Sequence, residues 1–253
     1  MSTPEVQVYD DGSLLAKAVG ARLVTVLVDS LTARGSASVV LTGGGIGTAV
    51  LAALGDEPAR DAIDWRRLDI WWGDERFVPV GDPERNETGA RAALLDRVDA
   101  DPARVHAMPG PDGPDGDDPE AAAVRYASWL AAAAGPGHGP VPAFDVLMLG
   151  IGPEAHVASL FPGEPALHDQ RPVVSVYETT KPPPRRLSLT FPSIQAAREV
   201  WILASGAEKA DAVANALSGA SPDEFPAAGA RGTQRTLFLL DRDAAAKLPR
   251  QVS

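Results

Sequence analysis

DVLMLGIGPEAHVASLFPG, residues 145–163, is the stretch whose reading decides the fold. It opens as a short apolar run, breaks at Gly150-Ile151-Gly152-Pro153, and delivers Glu154 and His156 before a second apolar stretch. A run of that length ending in glycine reads as a buried strand spilling into a turn. The same pattern recurs along the chain. ASVVLT (37–42) runs into TGGGIG, LDIWW (68–72) into GDER, and EVWILA (199–204) into SGAEK, while TLFLLD (236–241) is the last strand. Helical spacing separates these runs. Leu15, Val19, Leu23, Val26, Leu27 and Leu31 predict a helix over 13–34 behind a Ser13 cap, and TAVLAAL continues the pattern after Gly47. Further helices are expected near 87–97, at 119–134 and up to Leu217, with Asp241 placed to cap DAAAKL. Strands alternating with helices predict an α/β protein with a mainly parallel sheet and helices on both faces. The Pro/Gly-rich stretches flanking 119–134 read as exposed excursions. With no internal repeat and no linker, residues 1–253 are expected to form one domain.

Composition narrows the function. Apolar residues at 45% and charged residues at 23% are ordinary for a globular chain, and no apolar stretch approaches the roughly 20 residues that cross a bilayer. The polar, acidic N-terminus is unlike a signal peptide. Zero cysteines exclude disulfides and thiolate metal sites and fit a cytoplasmic location. A formal charge of −11 argues against nucleic acid or an anionic membrane as partner, because both need a basic face. A phosphorylated substrate would also be repelled at long range. Any phosphate site must be a local cluster of cations and backbone N–H groups.

In a parallel sheet the turns LTGGG, WWGDER, LGIGPEAH and LASGAEK share one carboxyl edge, where open α/β sheets bind ligands. That edge collects Gly43-Gly44-Gly45, Asp74-Glu75-Arg76, His156 and Lys209. Each feature has a plainer reading: a tight turn for the glycines, a solvated charge run for Asp74-Glu75-Arg76. The glycine loop lacks the Lys-Ser/Thr of a Walker loop, and Thr48 stands where the third glycine of a dinucleotide fingerprint belongs. Lys181, Arg185 and Arg186, in TKPPPRRLSLT, form a basic cluster with a proline-stiffened approach. His106, His138 and His168 lack a comparable setting, and no close-spaced ligand set suggests zinc.

Five blocks in order, LTGGGIGTAVL, WWGDERFVPVGDPERNE, LMLGIGPEAHVASLFPG, RRLSLTFPSIQAAREVWILASGAEKADAV and TLFLLDRDAAAKL, resemble the glucosamine-6-phosphate isomerase/6-phosphogluconolactonase family over nearly the whole chain. The resemblance implies a Rossmann-like fold, hydrolysis of a sugar phosphate lactone by the lactonase branch, and no cofactor. The implied partner is the small-molecule lactone alone, with a monomer or small homo-oligomer expected. Gly43, Gly44, Gly45, Arg76, Asn86, Arg186 and Lys209 match the substrate-binding positions, and His156 matches the catalytic histidine.

Lactone hydrolysis needs a water nucleophile and a base to take its proton. An imidazole, ordinarily titrating at about 6.5, suits that role near neutrality, with Glu154 or Asp74 orienting it. The chain departs from the family pattern at three places. Gly43-Gly44-Gly45-Ile46-Gly47 replaces Gly-Gly-Ser-Thr-Pro, Glu154-Ala155 replaces Asp-Gly, and Arg85 replaces the serine before Asn86. If the backbone at 155 requires a positive φ, alanine there is strained by roughly 1 kcal/mol. Two alternatives are an isomerase/deaminase on the same fold and a non-catalytic sugar-phosphate sensor. The first resembles this chain less, because Phe161 stands where that branch carries a glutamate. The second would usually carry a basic DNA-binding segment, and none is present.

Overall fold

A computed structural model describes residues 1–137, 139–177 and 182–249. Six strands form the main sheet: β1 (Pro4–Tyr9), β2 (Ala37–Leu41), β3 (Leu68–Trp72), β5 (Val146–Gly150), β8 (Glu199–Ala204) and β9 (Arg235–Asp241). Their spatial order is β1-β9-β8-β5-β2-β3, and every neighbouring pair is parallel. The central strands are nearly continuous apolar runs because both faces are covered. Val40, Leu147, Trp201 and Phe238 are fully buried. The expected Rossmann-like sheet is therefore the observed one.

Strand order reverses at one point. From β2 the chain steps outward to β3, then returns to β5 on the other side of β2 and proceeds to β8 and β9. The crevice beyond the carboxyl ends of β2 and β5 is where such sheets take ligands. Gly150 N–H donates to Thr42 Oγ1 at 3.1 Å there, tying together the loops that leave the two strands.

Helix α1 (Gly12–Arg34) buries Leu15, Val19, Leu23, Leu27 and Leu31, one stripe at four-residue spacing. It packs on α2 (Gly44–Asp56) across Gly20, where a Cβ would sit 3.2 Å from the backbone nitrogen of Leu54. Its cap is Asp11, not Ser13. Asp11 has the extended backbone a cap needs and accepts the Leu14 N–H at 2.8 Å, whereas Ser13 is already helical.

The helix expected near 87–97 divides. α3 (Asn86–Ala93) stops at Leu94, whose φ of −143° leaves the helical region, and a separate turn spans Leu95–Arg97. The break lets the adjacent Leu94 and Leu95 both face the core. α4 (Pro119–Ala134) matches expectation. Asp241 accepts from the Ala244 N–H at 2.8 Å, but the segment after it forms turns rather than a helix.

A second, antiparallel sheet was not anticipated. It consists of β4 (Asp74–Arg76), β6 (Val173–Val176) and β7 (Arg186–Leu189), with β7 in the middle. Leu189 N–H donates to the Gly73 carbonyl at 2.8 Å, so the small sheet begins where β3 ends. The short helix α5 (Phe191–Gln195) links it back to β8, and α6 (Ala210–Leu217) follows β8.

Candidate active site

A cleft of about 800 Å³ opens at the carboxyl edge of the main sheet, walled on one side by the small sheet. Gly43, Gly44, Gly45, Asp74, Arg76, Asn86, His156, Arg186 and Lys209 all line it. Of the site residues expected from the sequence, only Glu154 stands outside the wall. It lies behind the imidazole, with Oε1 3.0 Å from His156 Nδ1.

The glycine loop is built for close approach. Gly44 has φ +77°, a left-handed value that favours glycine, and it opens α2 with no side chain capping that end. A Cβ on Gly43 would fall 1.8 Å from Asn86 Oδ1, so glycine there admits the asparagine amide. Asn86 Nδ2 donates to the Asp74 carbonyl at 2.8 Å, and its Oδ1 accepts from Arg76 Nη1. Asn86 thus joins the loop after β2 to strand β4.

Strand β4 carries the densest electrostatics. Arg76 and Arg186 are direct partners in the β4–β7 register. Like charges placed opposite one another on paired strands repel, an arrangement suited to an anion between them. Burial pulls the Arg186 guanidinium below its ordinary value. The Asp74 carboxylate opposes that shift and the neighbouring Arg76 adds to it. Asp74 is buried and held at both oxygens, Oδ2 accepting from Ser159 Oγ at 2.8 Å and Oδ1 from Asn86 Nδ2 at 3.3 Å.

Glu75 points the other way, into the protein. Burial pushes its carboxyl up to about 7, against the Arg85 charge and the backbone N–H groups of Glu87, Asn86 and Arg76. Those three groups donate at 2.9, 2.7 and 2.9 Å, which pins the start of α3 to β4. Arg85, the departure beside Asn86, is an internal brace. Its guanidinium is fully buried, bonded to Glu87 Oε2, the Met108 carbonyl and the Val78 carbonyl.

The histidine loop is equally tight. Gly152 N–H donates to the His156 carbonyl at 3.0 Å, and the Ala155 N–H donates back to the Gly152 carbonyl at 2.9 Å. A Cβ on Gly152 would lie 2.0 Å from His156 Nδ1, so the imidazole rests on bare backbone. Ala155 has φ +62° and Ala158 φ +50°, so the backbone at 155 does take the strained value. Beyond it, the Phe161 ring covers the imidazole with centroids 4.4 Å apart and planes 32° from parallel.

Other basic and histidine residues are placed elsewhere. Arg185 pairs with Asp117 at 2.7 Å and lies over Phe77, outside the cleft wall. His106 stacks on Trp71 with centroids 3.8 Å apart and pairs with Asp69, while His168 is exposed beside Asp223. Lys181 and His138 lie outside the described residues. Among the described residues no group of three or more histidine and carboxylate side chains is placed to hold a metal ion. No helix among them is long and apolar enough to cross a membrane.

Sequence reasoning missed Lys17, Ser159 and the Glu75–Arg85 brace. Lys17 lines the cleft because α1 starts at the carboxyl end of β1, the same rim as the other loops. In the sequence it is one more charged residue on the polar face of a helix. Ser159 sits inside an apolar run, and only the fold reveals that it meets Asp74.

The family model described as glucosamine-6-phosphate isomerases/6-phosphogluconolactonase matches residues 10–239, and the chain belongs to that family. Within it, the chain is 60% identical over 252 residues to a protein of Streptomyces coelicolor named 6-phosphogluconolactonase, covering 99% of this chain and 97% of that one. It is 52% identical to the 6-phosphogluconolactonase of Mycobacterium tuberculosis, covering 96% of this chain and 98% of that one. Among solved structures, the 6-phosphogluconolactonase of Trypanosoma brucei superposes with a TM-score of 0.81 at 29% identity, covering 98% of this chain and all of that one.

Proposed function

We propose that this chain hydrolyses 6-phospho-D-glucono-1,5-lactone to 6-phospho-D-gluconate, as the names of its relatives suggest, with His156 as the general base. The observation that carries the reading is the pairing, in one cleft, of an anion-attracting wall with a histidine–carboxylate dyad. The opposed Arg76 and Arg186, Lys209 and the uncapped start of α2 make the wall. Helix starts and arginine forks both favour phosphate oxygens. His156 and Glu154 make the dyad.

In this reading the phosphate is a handle whose binding energy positions the lactone carbonyl. With Nδ1 turned to Glu154, Nε2 takes a proton from the attacking water as the new C–O bond forms at C1. The tetrahedral intermediate collapses, the bond from C1 to the ring oxygen breaks, and the imidazolium returns a proton to that oxygen. One water is consumed and no electrons change hands. Glu154 supports the transient imidazolium, and Asp74, locked by Ser159 and Asn86, shapes the field around it. The steps require no metal, nucleotide or nucleic acid. We further read residues 1–253 as one domain, working in the cytoplasm as a monomer or small homo-oligomer. A sugar-phosphate isomerase is disfavoured because the aromatic Phe161, not a carboxylate, covers the imidazole.

The test compares wild type with His156→Asn on freshly generated lactone, after subtracting spontaneous opening. Asparagine keeps a hydrogen bond but takes no proton near neutrality. General-base loss typically slows turnover by about 10² to 10⁴. A folded variant with wild-type turnover would place the base elsewhere, and an inactive wild type would remove the substrate assignment.

A further inference from the structure

We propose that Phe161 is a positioning residue for the reaction, one aromatic ring that packs against both the His156 imidazole and the Arg186 guanidinium. The proposal rests on the general-base reading of His156 and assigns the reaction a group outside the dyad and the phosphate wall.

The local chain makes this contact unavoidable. Between His156 and Phe161 the backbone reverses: Leu160 N–H donates to the Val157 carbonyl at 3.0 Å, and these two residues form an isolated antiparallel bridge. Ala158, at φ +50°, supplies the left-handed step inside the reversal. Val157 and Leu160 are fully buried and anchor both ends. The reversal returns Phe161 over the ring of His156, with centroids 4.4 Å apart and planes 32° from parallel. Phe161 itself is only 6% exposed, so the aromatic contact is largely dry. The Arg186 guanidinium carbon lies 5.9 Å from the same ring centroid, within the range of a cation–π contact.

An imidazole acting as base has two requirements that Glu154 alone does not meet. Its plane must be fixed, or Nε2 sweeps away from the water it deprotonates. Gly152 lies against the Nδ1 and Cε1 edge of the ring, and Phe161 lies over its face. The imidazolium must also form in the presence of fixed cations. Glu154 on its own loop stands against it, and the charged groups that share the cleft are Lys17 on α1, Asp56 at the end of α2, Asp74 and Arg76 on β4, Arg186 on β7, and Lys209 with Glu208 after β8. The negative face of an aromatic ring attracts a cation without adding a carboxylate that would compete for the phosphate's partners. The Phe161 ring is in reach of both the transient imidazolium and Arg186.

Phe161→Leu keeps apolarity and most of the volume while removing the ring, and Phe161→Tyr keeps the ring. Turnover of Phe161→Leu should fall by roughly 10- to 100-fold, the scale of a misplaced catalytic group. KM for the phosphorylated lactone should rise as Arg186 loosens. The acid limb of kcat/KM should move to lower pH by about half a unit, since the imidazolium loses its aromatic partner. The His156 imidazole resonance, titrated by NMR in the free protein, should move the same way. Phe161→Tyr should restore both the pH profile and turnover. Thermal melting identifies a variant that fails to fold, in which case Phe161→Met replaces it. If the folded variant keeps wild-type turnover and an unmoved His156 titration while His156→Asn is inactive, the positioning role is refuted and the base assignment stands. If His156→Asn is active, the base assignment fails. An NMR titration still unmoved in the Phe161 variant would then sink the packing claim as well.

Discussion

Gly152→Ala is the most direct perturbation of the proposed dyad, because its effect follows from one distance. A Cβ built on Gly152 falls 2.0 Å from His156 Nδ1 and 2.1 Å from Cε1, where ordinary contact begins at 3.4 Å. The imidazole or the loop must therefore yield by about 1.4 Å. The ring has little room on its open face, because Phe161 covers it. Moving the edge that carries Nδ1 also breaks its approach to Glu154. A displacement of about 1 Å at a reacting group is enough for a loss of about 10² in rate, and full loss of general-base action reaches about 10⁴. Gly152 is not among the glycines with positive φ, so alanine brings no backbone strain of its own. The expected result is a loss of 100-fold or more in kcat/KM, in a protein that still folds with a melting temperature lowered by the roughly 1–3 kcal/mol that overpacking costs. The assay follows acid release from freshly made lactone in weak buffer, with the enzyme-free rate subtracted at each pH. Wild-type kcat/KM in a folded Gly152→Ala protein would mean that the imidazole does not work from this position.

Three further outcomes are expected. Lys209→Ala should raise KM for the phosphorylated lactone far more than for the unphosphorylated one, and equal losses on both would remove Lys209 from the phosphate wall. Glu75 carries a pH dependence of stability. Its carboxyl is raised from 4.5 to about 7 in the folded protein. Its contribution is therefore fully present below 4.5 and lost as pH rises through 7, by at most about 3 kcal/mol. Urea midpoints at pH 5 and pH 8 should differ less in Glu75→Gln than in wild type, and an identical pH difference in both would show that Glu75 titrates normally. Ala155→Gly should change stability by less than about 1 kcal/mol in either direction, read as a small shift in melting temperature, and a loss of several kcal/mol would contradict the strain at that position.

The strands of the main sheet were legible because burial on both faces writes them as unbroken apolar runs: ASVVL, LDIWW, VLMLG, EVWILA. β1 was not, because it is an edge strand. PEVQVY leaves Val6 and Val8 exposed and so lacks the solid apolar signature. The small antiparallel sheet was hidden for a different reason. Asp74-Glu75-Arg76 looks like a solvated charge run, yet Asp74 and Glu75 are buried, and apart from the neighbouring Arg76 N–H they are satisfied by Ser159, Asn86 and the Glu87 N–H, contributed 11 to 85 residues away. No local pattern encodes partners at that separation. Arg85 was hidden too: in the sequence it stood out only as a departure from the resemblance, while the fold gives it Glu87, Val78 and Met108 as partners. The rim residues fared better. A parallel sheet forces every strand's exit turn to one edge, so a glycine loop, an acidic turn, a histidine and a lysine were brought together by topology alone.

Glu154-Ala155 stands where the resemblance leads one to expect Asp-Gly, and the loop's geometry shows how the proposed dyad accommodates the pair. A glycine at 155 would take φ +62° freely, whereas alanine pays about 1 kcal/mol to do so. The alanine methyl, however, lies in a fully buried position, and burying one such group returns about 0.8 kcal/mol. Alanine also restricts the unfolded chain relative to glycine by about 0.4 to 1 kcal/mol, which favours the folded state. The two gains, together about 1.2 to 1.8 kcal/mol, offset the strain, so the backbone keeps the left-handed turn that lets the Ala155 N–H reach the Gly152 carbonyl. That turn sets His156 against Gly152 and fixes where its carboxylate partner must arrive. Glutamate has one more methylene than aspartate, and here its Oε1 stands 3.0 Å from Nδ1 with the side chain about one-third exposed. The two substitutions are therefore compatible with each other: a strained but buried alanine holds the histidine in place, and a longer acid spans the distance that remains.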